Sequence, residues 1–474
     1  TLRLPKADAH YKPVKDYIEE PDADYRHASE AAYESFRDMK FSIRIHWGVY
    51  AAWQGEASFC WLAAPNSVNN KKPGKTKAKY VELYKQFNPK KFNADQWMRD
   101  FKRWGMQGFA FTTKHCDGFS MFHTKTKVKS RADFTKALPK DGQKLVNPAD
   151  VIESCDVHYS IEETPYRKDI VKELCDAAHQ HGIKIDLYFS HPDWYDADFR
   201  PYYSSTHPLA AVPRTKAETK RMMERHRQQL RELLTNYGKI DMMCLDMWLG
   251  KDVWQEMKET VKMMRQLQPD VMLRARGIGH YGDYYQPEQN YSDGLAVGDK
   301  DATAMPWMCI KTLGKMFAYD PNAENYKGAK WVISNLIDCV AKGGSFMVCV
   351  GPDEFGEFHP KAVEQLEEVG RWLKVNGEGI YETRGRKVWQ SGGVKFTRSK
   401  DNKTVFAFTE KFPVGEWVID SVVPKEGSVI RLLGSDKPLE WSATDNGVKI
   451  VIPEYLQKAE NRPCEYAWGV KINN

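Results

Sequence analysis

Residues 240–250 read IDMMCLDMWLG. Within them, Met242 to Leu245 form a short apolar run that ends on the carboxylate of Asp246. Such a run reads as a buried strand that delivers one charged side chain at its C-terminal end. Amphipathic, helix-like stretches flank it, Glu218 to Tyr237 before and Val253 to Gln268 after. The same alternation extends in both directions. Strands are expected at Phe41 to His46, Gly108 to Thr113, Lys184 to Ser190, Val271 to Ala275 and Ser345 to Val350, and further helices at Ala94 to Trp104, Asp169 to His181 and Lys330 to Ala341. Several of these strands end in polar or ionisable residues: His46, Lys114 with His115, Ser190 with His191, Asp246, and Arg276. In a (β/α) barrel the active site is built from the C-terminal strand ends, so the predicted fold is α/β, a (β/α)8-like barrel, and the strand ends point to catalysis. A doubly wound sheet is the competing architecture, but no glycine-rich phosphate-binding turn follows the first strand.

After Arg384 the rhythm changes. Short alternating segments, Thr404 to Glu410, Ser428 to Leu433 and Gly447 to Ile452, are separated by turn signals such as Asp445-Asn446-Gly447. The expected organisation is therefore a catalytic barrel with an N-terminal extension over residues 1–385 and a small antiparallel β-sandwich over 386–474.

Composition excludes several classes. Of 474 residues, 42% are hydrophobic and 28% charged, which supplies a large core and rules out a disordered chain. No apolar run is long enough to span a bilayer, so no membrane span is expected. The net charge of +6 is small for this length, and Lys71, Lys72, Lys75, Lys77 and Lys79 sit in one loop that reads as solvated rather than as a nucleic-acid patch. The nine cysteines show no CxxC pairs, so neither a disulfide framework nor a zinc site is expected. His179 and His181 stand two apart on an expected helix and share no face, so they are assigned no metal. The sequence opens on Thr1, which led us to expect an exported protein, periplasmic or secreted, whose signal peptide is absent from this sequence.

The most specific segments are RIHWGVY (44–50), TTKHCDGFSMF (112–122), IDLYFSHPDWYD (185–196), IDMMCLDMWLG (240–250), YYQPEQ (284–289), KGGSFMVCVGP (342–352) and WLKVNGEGIYETR (372–384). In this order they resemble the α-L-fucosidase family, glycoside hydrolase family 29, over about residues 30 to 385. The resemblance implies a retaining exo-glycosidase with Asp246 as nucleophile and Glu288 as general acid and base. Glu288 follows a loop rich in Gly and Tyr, where aromatic surroundings would raise a carboxyl pKa. Arg276 matches a substrate-contacting arginine, and His46 and His115 match histidines that bind sugar hydroxyls. Trp47, Trp61 and Tyr188 are candidates for an aromatic wall, with core packing as the alternative, above all for Trp47. No metal or organic cofactor is implied.

The departures from the family pattern cluster at the same site. Cys116 stands where the family usually has a second histidine, Cys244 where it has a tryptophan, Arg44 where it often has a phenylalanine, Met308 where a glutamate is common, and Cys60 replaces a polar residue before Trp61. In the family, aromatics at the Arg44 and Cys244 positions wall an apolar pocket for the fucose methyl. A cationic arginine and a small cysteine make that pocket larger and more polar. L-Galactose carries a hydroxymethyl where L-fucose has that methyl, and a guanidinium would also bind a sulfate. The preferred expectation is therefore an exo-α-L-galactosidase acting on an oligosaccharide or polysaccharide of algal-galactan type, with or without sulfate. An ordinary α-L-fucosidase is the alternative, and a non-catalytic carbohydrate-binding relative is the second. A competing placement for Arg44 is outward, with its charge in solvent.

Overall fold

A computed structural model describes residue 4 and residues 14–55, 77–131, 152–199, 214–289 and 304–473. Seven strands form one parallel sheet: β1 Phe41–Ile45, β2 Gly108–Lys114, β5 Lys184–Ser190, β6 Met242–Asp246, β7 Met272–Leu273, β8 Met308–Thr312 and β9 Ser345–Val350. A two-stranded hairpin, β3 Val128–Arg131 and β4 Ile152–Val157, interrupts the series. The sheet order is β7-β6-β5-β2-β1-β9-β8. Its open edges are joined by the stretch 284–288, which bridges Arg274 through Tyr284 on one side and Trp307 and Ile310 through Tyr285 and Glu288 on the other. Pro287 has no N–H to give a ladder, which accounts for single bridges where a regular eighth strand would otherwise run. Its carbonyl still accepts from Ile310 N at 2.9 Å. The result is an irregular (β/α) barrel whose eighth stave is this segment.

The alternation along each strand sorts side chains between two cores. On β6, Met243 and Leu245 join the outer core between sheet and helices, while Met242 faces the lumen with Ala110, Met272, Tyr284, Met308 and Met347. The helices Ala94–Arg103, Ile170–His181, Lys216–Thr235, Trp254–Leu267 and Ala329–Ala341 fall within a few residues of the expected ones. Asn93, Asp169 and Thr215 cap the first three of these through side-chain bonds to Gln96 N, Lys172 N and Glu218 N. Two expectations change. Val271 to Ala275 supplies only the two-residue β7, so Arg276 lies beyond the strand rather than at its end. β8 and the β3–β4 hairpin were not foreseen.

The C-terminal strands are β10 Gln390–Ser391, β11 Val394–Arg398, β12 Thr404–Thr409, β13 Glu416–Asp420, β14 Ile430–Leu432, β15 Pro438–Leu439, β16 Trp441–Ala443, β17 Gly447–Val451 and β18 Trp468–Asn473. They build a six-stranded sheet, β10-β11-β12-β18-β14-β15, and a three-stranded sheet, β13-β17-β16, over a separate core that includes Phe396, Ile419, Ile450 and Val470. This is the expected antiparallel β-sandwich. Trp372, on the helix Pro360–Asn376, fastens it to the barrel by donating to the Ala467 carbonyl at 2.9 Å.

Candidate active site

The lumen side of β6 carries Met242, Cys244 and Asp246 in alternate positions, and Asp246 emerges at the C-terminal end, 9% exposed. Its two oxygens are taken by donors from neighbouring staves. Oδ1 accepts from Arg276 Nη1 at 2.6 Å and Arg274 Nη1 at 3.2 Å, and Oδ2 accepts from the Tyr188 hydroxyl. Burial by itself would raise this carboxyl, but the Arg276 and Arg274 charges, with the Tyr188 bond, outweigh it and hold Asp246 well below the usual carboxylate range.

Glu288, on the eighth stave, reaches the same arginines. Its Oε1 accepts from Arg276 Nη1 at 2.7 Å and Arg274 Nη2 at 3.0 Å. One nitrogen therefore holds an oxygen of each carboxylate, and those two oxygens lie no more than about 5.3 Å apart, the two bonds laid end to end. Carboxyl groups about 5–5.5 Å apart mark retaining glycosidases, and separations of roughly 6.5–9.5 Å mark inverting ones. The sequence led to an expectation of aromatic surroundings for Glu288; the groups seen to bond its Oε1 are two guanidiniums. Arg274 was not foreseen as a site residue. It is 1% exposed and stands two positions before Arg276, so both project to one face of an extended segment, which is the signal that would have found it.

The two motif histidines meet beside this cluster, with ring centroids 4.9 Å apart. Both ring nitrogens of His46 are buried and have no hydrogen-bond partner. His115 stacks on Tyr188 at 5.5 Å and 10°, and its Nδ1 is 2.9 Å from the Cys116 thiol. Burial raises the Cys116 thiol well above its ordinary pKa and lowers His115 to about 4. Both groups are therefore neutral, and the contact is S–H to Nδ1 or Nδ1–H to sulfur according to the tautomer of His115.

Arg44 points into the lumen, 2% exposed, which excludes the outward placement. Its Nη2 donates to Gln286 Oε1 at 2.6 Å and Cys244 Sγ at 2.8 Å, its guanidinium lies 5.2 Å from the Tyr188 ring centroid, and its Nε is buried without a partner. Arg44 and Cys244, chosen separately from the sequence, are in direct contact. Trp47 is fully buried among Phe87, Phe92, Trp97 and Phe111, with Nε1 donating to Asp353 O, so its surroundings are those of the packing alternative. Met308 also faces the lumen core. Trp61 and Cys60 lie outside the described residues, as do Lys71, Lys72 and Lys75. Among the described residues, no group of three or more His, Cys, Asp or Glu could hold a metal ion, and no helix is long and apolar enough to cross a membrane.

Comparison with known proteins places this geometry. Residues 12–147 and 150–378 match the family model for alpha-L-fucosidase, and residues 387–473 match that for the alpha-L-fucosidase C-terminal domain. The plasma alpha-L-fucosidase of Rattus norvegicus is 26% identical over 469 residues, covering 93% of this chain and 91% of that protein. Alpha-L-fucosidase isoenzyme 1 from Paenibacillus thiaminolyticus superposes with a TM-score of 0.74 at 24% identity, covering 94% of this chain and 99% of that one. A Bacteroides thetaiotaomicron alpha-L-fucosidase, solved as a trapped covalent intermediate with 2-fluoro-fucosyl fluoride, gives 0.71 at 23% identity over 96% and 100% of the two chains. With barrel, sandwich and family models all in register, the chain belongs to the α-L-fucosidase family, glycoside hydrolase family 29, and is a glycoside hydrolase.

Proposed function

We propose that this protein is a retaining exo-glycosidase that releases terminal α-L-fucosyl units from glycans, with Asp246 as nucleophile and Glu288 as acid and base. The observation that carries the reading is the single nitrogen of Arg276 bonded to both carboxylates, which keeps them at a retaining separation. Asp246, held anionic, attacks the anomeric carbon while Glu288 gives a proton to the departing oxygen. Water activated by Glu288 then cleaves the glycosyl ester, and the regenerated Asp246 carboxylate returns to three waiting donors. Both guanidiniums hold Oε1 of Glu288, so in this mechanism the proton given to the departing oxygen is carried on Oε2, while Oε1 stays on Arg276. His46, with two unpartnered nitrogens, and His115 would bind ring hydroxyls. The covalent intermediate of the Bacteroides thetaiotaomicron relative supports a two-step course, and the names of the relatives support fucose as the sugar.

A second reading, release of terminal α-L-galactosyl units, rests on the inward guanidinium of Arg44 beside Cys244 and Gln286. Retention of both carboxylates weighs against a non-catalytic binding protein. In either reading the catalytic unit is residues 1–385, the sandwich is 386–474, and the protein is exported, as the plasma relative suggests. The test compares kcat/KM for aryl α-L-fucoside and aryl α-L-galactoside with the wild type and Asp246→Asn. A fucoside preference lost in the variant is expected. A galactoside preference selects the second reading, and a variant keeping a tenth of wild-type kcat removes Asp246 from its role.

A further inference from the structure

Two buried histidines outside the sugar site connect to it through main chain. His191 follows β5 directly and is 2% exposed, and His226, on the helix Lys216–Thr235, is 4% exposed. His191 Nδ1 is 3.0 Å from His226 Nε2, and His191 Nε2 is 3.3 Å from the carbonyl oxygen of Arg276. The backbone N–H of His191 also donates to the carbonyl of Asp246 at 3.0 Å. One residue thus touches the main chain of both Asp246 and Arg276 without touching either carboxylate.

The hydrogen positions follow from the partners. A carbonyl only accepts, so His191 Nε2 carries its hydrogen. In a neutral ring Nδ1 is then an acceptor, which requires the hydrogen of His226 on Nε2. That leaves His226 Nδ1 as a bare lone pair, and it is indeed buried without a partner. Both rings are neutral, because burial lowers His191 to about 4 and His226 well below its ordinary value. The backbone against which His191 rests is itself constrained. Gly277 has φ +78°, and a Cβ there would lie 2.7 Å from Met247 O and 2.9 Å from His191 Cδ2.

We propose that the His191–His226 pair is a positioning device: it fixes the Arg276 main chain, and with it the guanidinium nitrogen that sets the spacing of Asp246 and Glu288. His191 is a positioning residue, since it acts through Arg276. Misplacing a catalytic group by about 1 Å costs on the order of a hundredfold in rate, so the effect belongs in kcat. This proposal rests on the hydrolytic reading above.

The experiment uses the full chain and whichever aryl glycoside, fucoside or galactoside, the wild type hydrolyses, with an activated leaving group. His191→Leu is expected to lower kcat by about a hundredfold with KM changed less than about threefold. His191→Gln, whose amide can donate to the Arg276 carbonyl and accept from His226, should recover kcat to within about tenfold of wild type. In an Arg276→Ala background, His191→Leu should change kcat less than about twofold, because the pair acts as one unit. Equal losses in both backgrounds, or a Gln variant no better than Leu at equal thermal stability, overturn the proposal. A readout independent of turnover is the tautomer, taken from ¹⁵N-histidine spectra with each signal assigned by its variant. Nε2–H on both rings is expected, and Nδ1–H on His191 overturns the device even if neither glycoside is cleaved and the hydrolytic reading itself falls.

Discussion

The phenol of Tyr188 donates to Asp246 Oδ2, the oxygen left free by Arg274 and Arg276. The bond crosses from β5 to β6, where Ser190 and Asp246 pair in register at the strand ends. With it, a carboxylate removed from water is surrounded by donors that do not need to reorganise. In the proposed mechanism such preorganisation matters most when charge returns to the carboxylate as the covalent intermediate breaks down. Tyr188 is itself held, with the Arg44 guanidinium 5.2 Å from its ring centroid and the His115 ring stacked on it. The departures at Arg44 and Cys116 thus bear on the neighbour of the proposed nucleophile, Arg44 directly and Cys116 through His115.

Tyr188→Phe removes one of three donors and almost no volume. Hydrogen bonds to charged groups contribute about 1.5–3 kcal/mol, so kcat should fall by roughly 10- to 100-fold with KM little changed. Steady-state kinetics on an aryl glycoside, beside a circular dichroism spectrum that shows an intact fold, decide the matter. A kcat within a factor of two of wild type would mean that the arginines alone hold the Asp246 charge.

Asp117 gives a pH prediction with a definite sign. It is 1% exposed, accepts from the Tyr80 hydroxyl at 2.5 Å and from Phe119 N at 3.2 Å, and burial, with Asp193 nearby, raises its carboxyl to about 7 despite those bonds. In the unfolded chain an aspartate titrates near 3.9. Between those values the folded state binds more protons than the unfolded one, so this group makes stability fall as pH rises from about 4 to about 7 and level off above. The full effect is at most on the order of 4 kcal/mol. Asp117→Asn keeps an acceptor for Phe119 N and removes the titration. Urea unfolding at pH 4.5 and pH 8 should therefore show the variant gaining stability relative to wild type at the higher pH. A difference between the two proteins that does not vary with pH would show that Asp117 titrates normally.

Asp246 stood out because the apolar run Met242 to Leu245 ends on its carboxylate, but a strand-end cap or ion pair reads the same way, and it was the family resemblance that made it the nucleophile candidate. His46 and His115 stood out as ionisable residues at the ends of apolar strands and by their place in the family-like motifs, and Arg44 as a departure from the family pattern. Glu288 was found by its segment, but its surroundings were not. The guanidiniums that touch it come from Arg274 and Arg276, on the far side of a loop whose path depends on the bridges of the eighth stave. β8 escaped notice because MCIKT becomes a strand only between β9 and that stave. His191 and His226 lie thirty-five residues apart on different elements, and no spacing rule joins them.

Arg44 offers the test between the two proposed sugars. Its Nη2 is committed to Gln286 and Cys244, while its Nε has no partner, so the lumen holds a donor that an extra oxygen on the sugar could use. A pocket built to hydrogen-bond a hydroxyl rejects the deoxy sugar strongly, whereas an apolar pocket rejects an added hydroxyl only weakly, by about a hundredfold. Arg44→Phe replaces the donor with an aromatic surface. If Arg44 faces the C5 substituent, the ratio of kcat/KM for aryl α-L-fucoside over aryl α-L-galactoside should rise at least about tenfold in the variant. Arg44→Met serves as the control for lost charge without an added ring, and it should move the ratio in the same direction by less. If both variants lower the two substrates equally, Arg44 supports Tyr188 and the barrel floor, and sugar choice lies with other residues of the lumen.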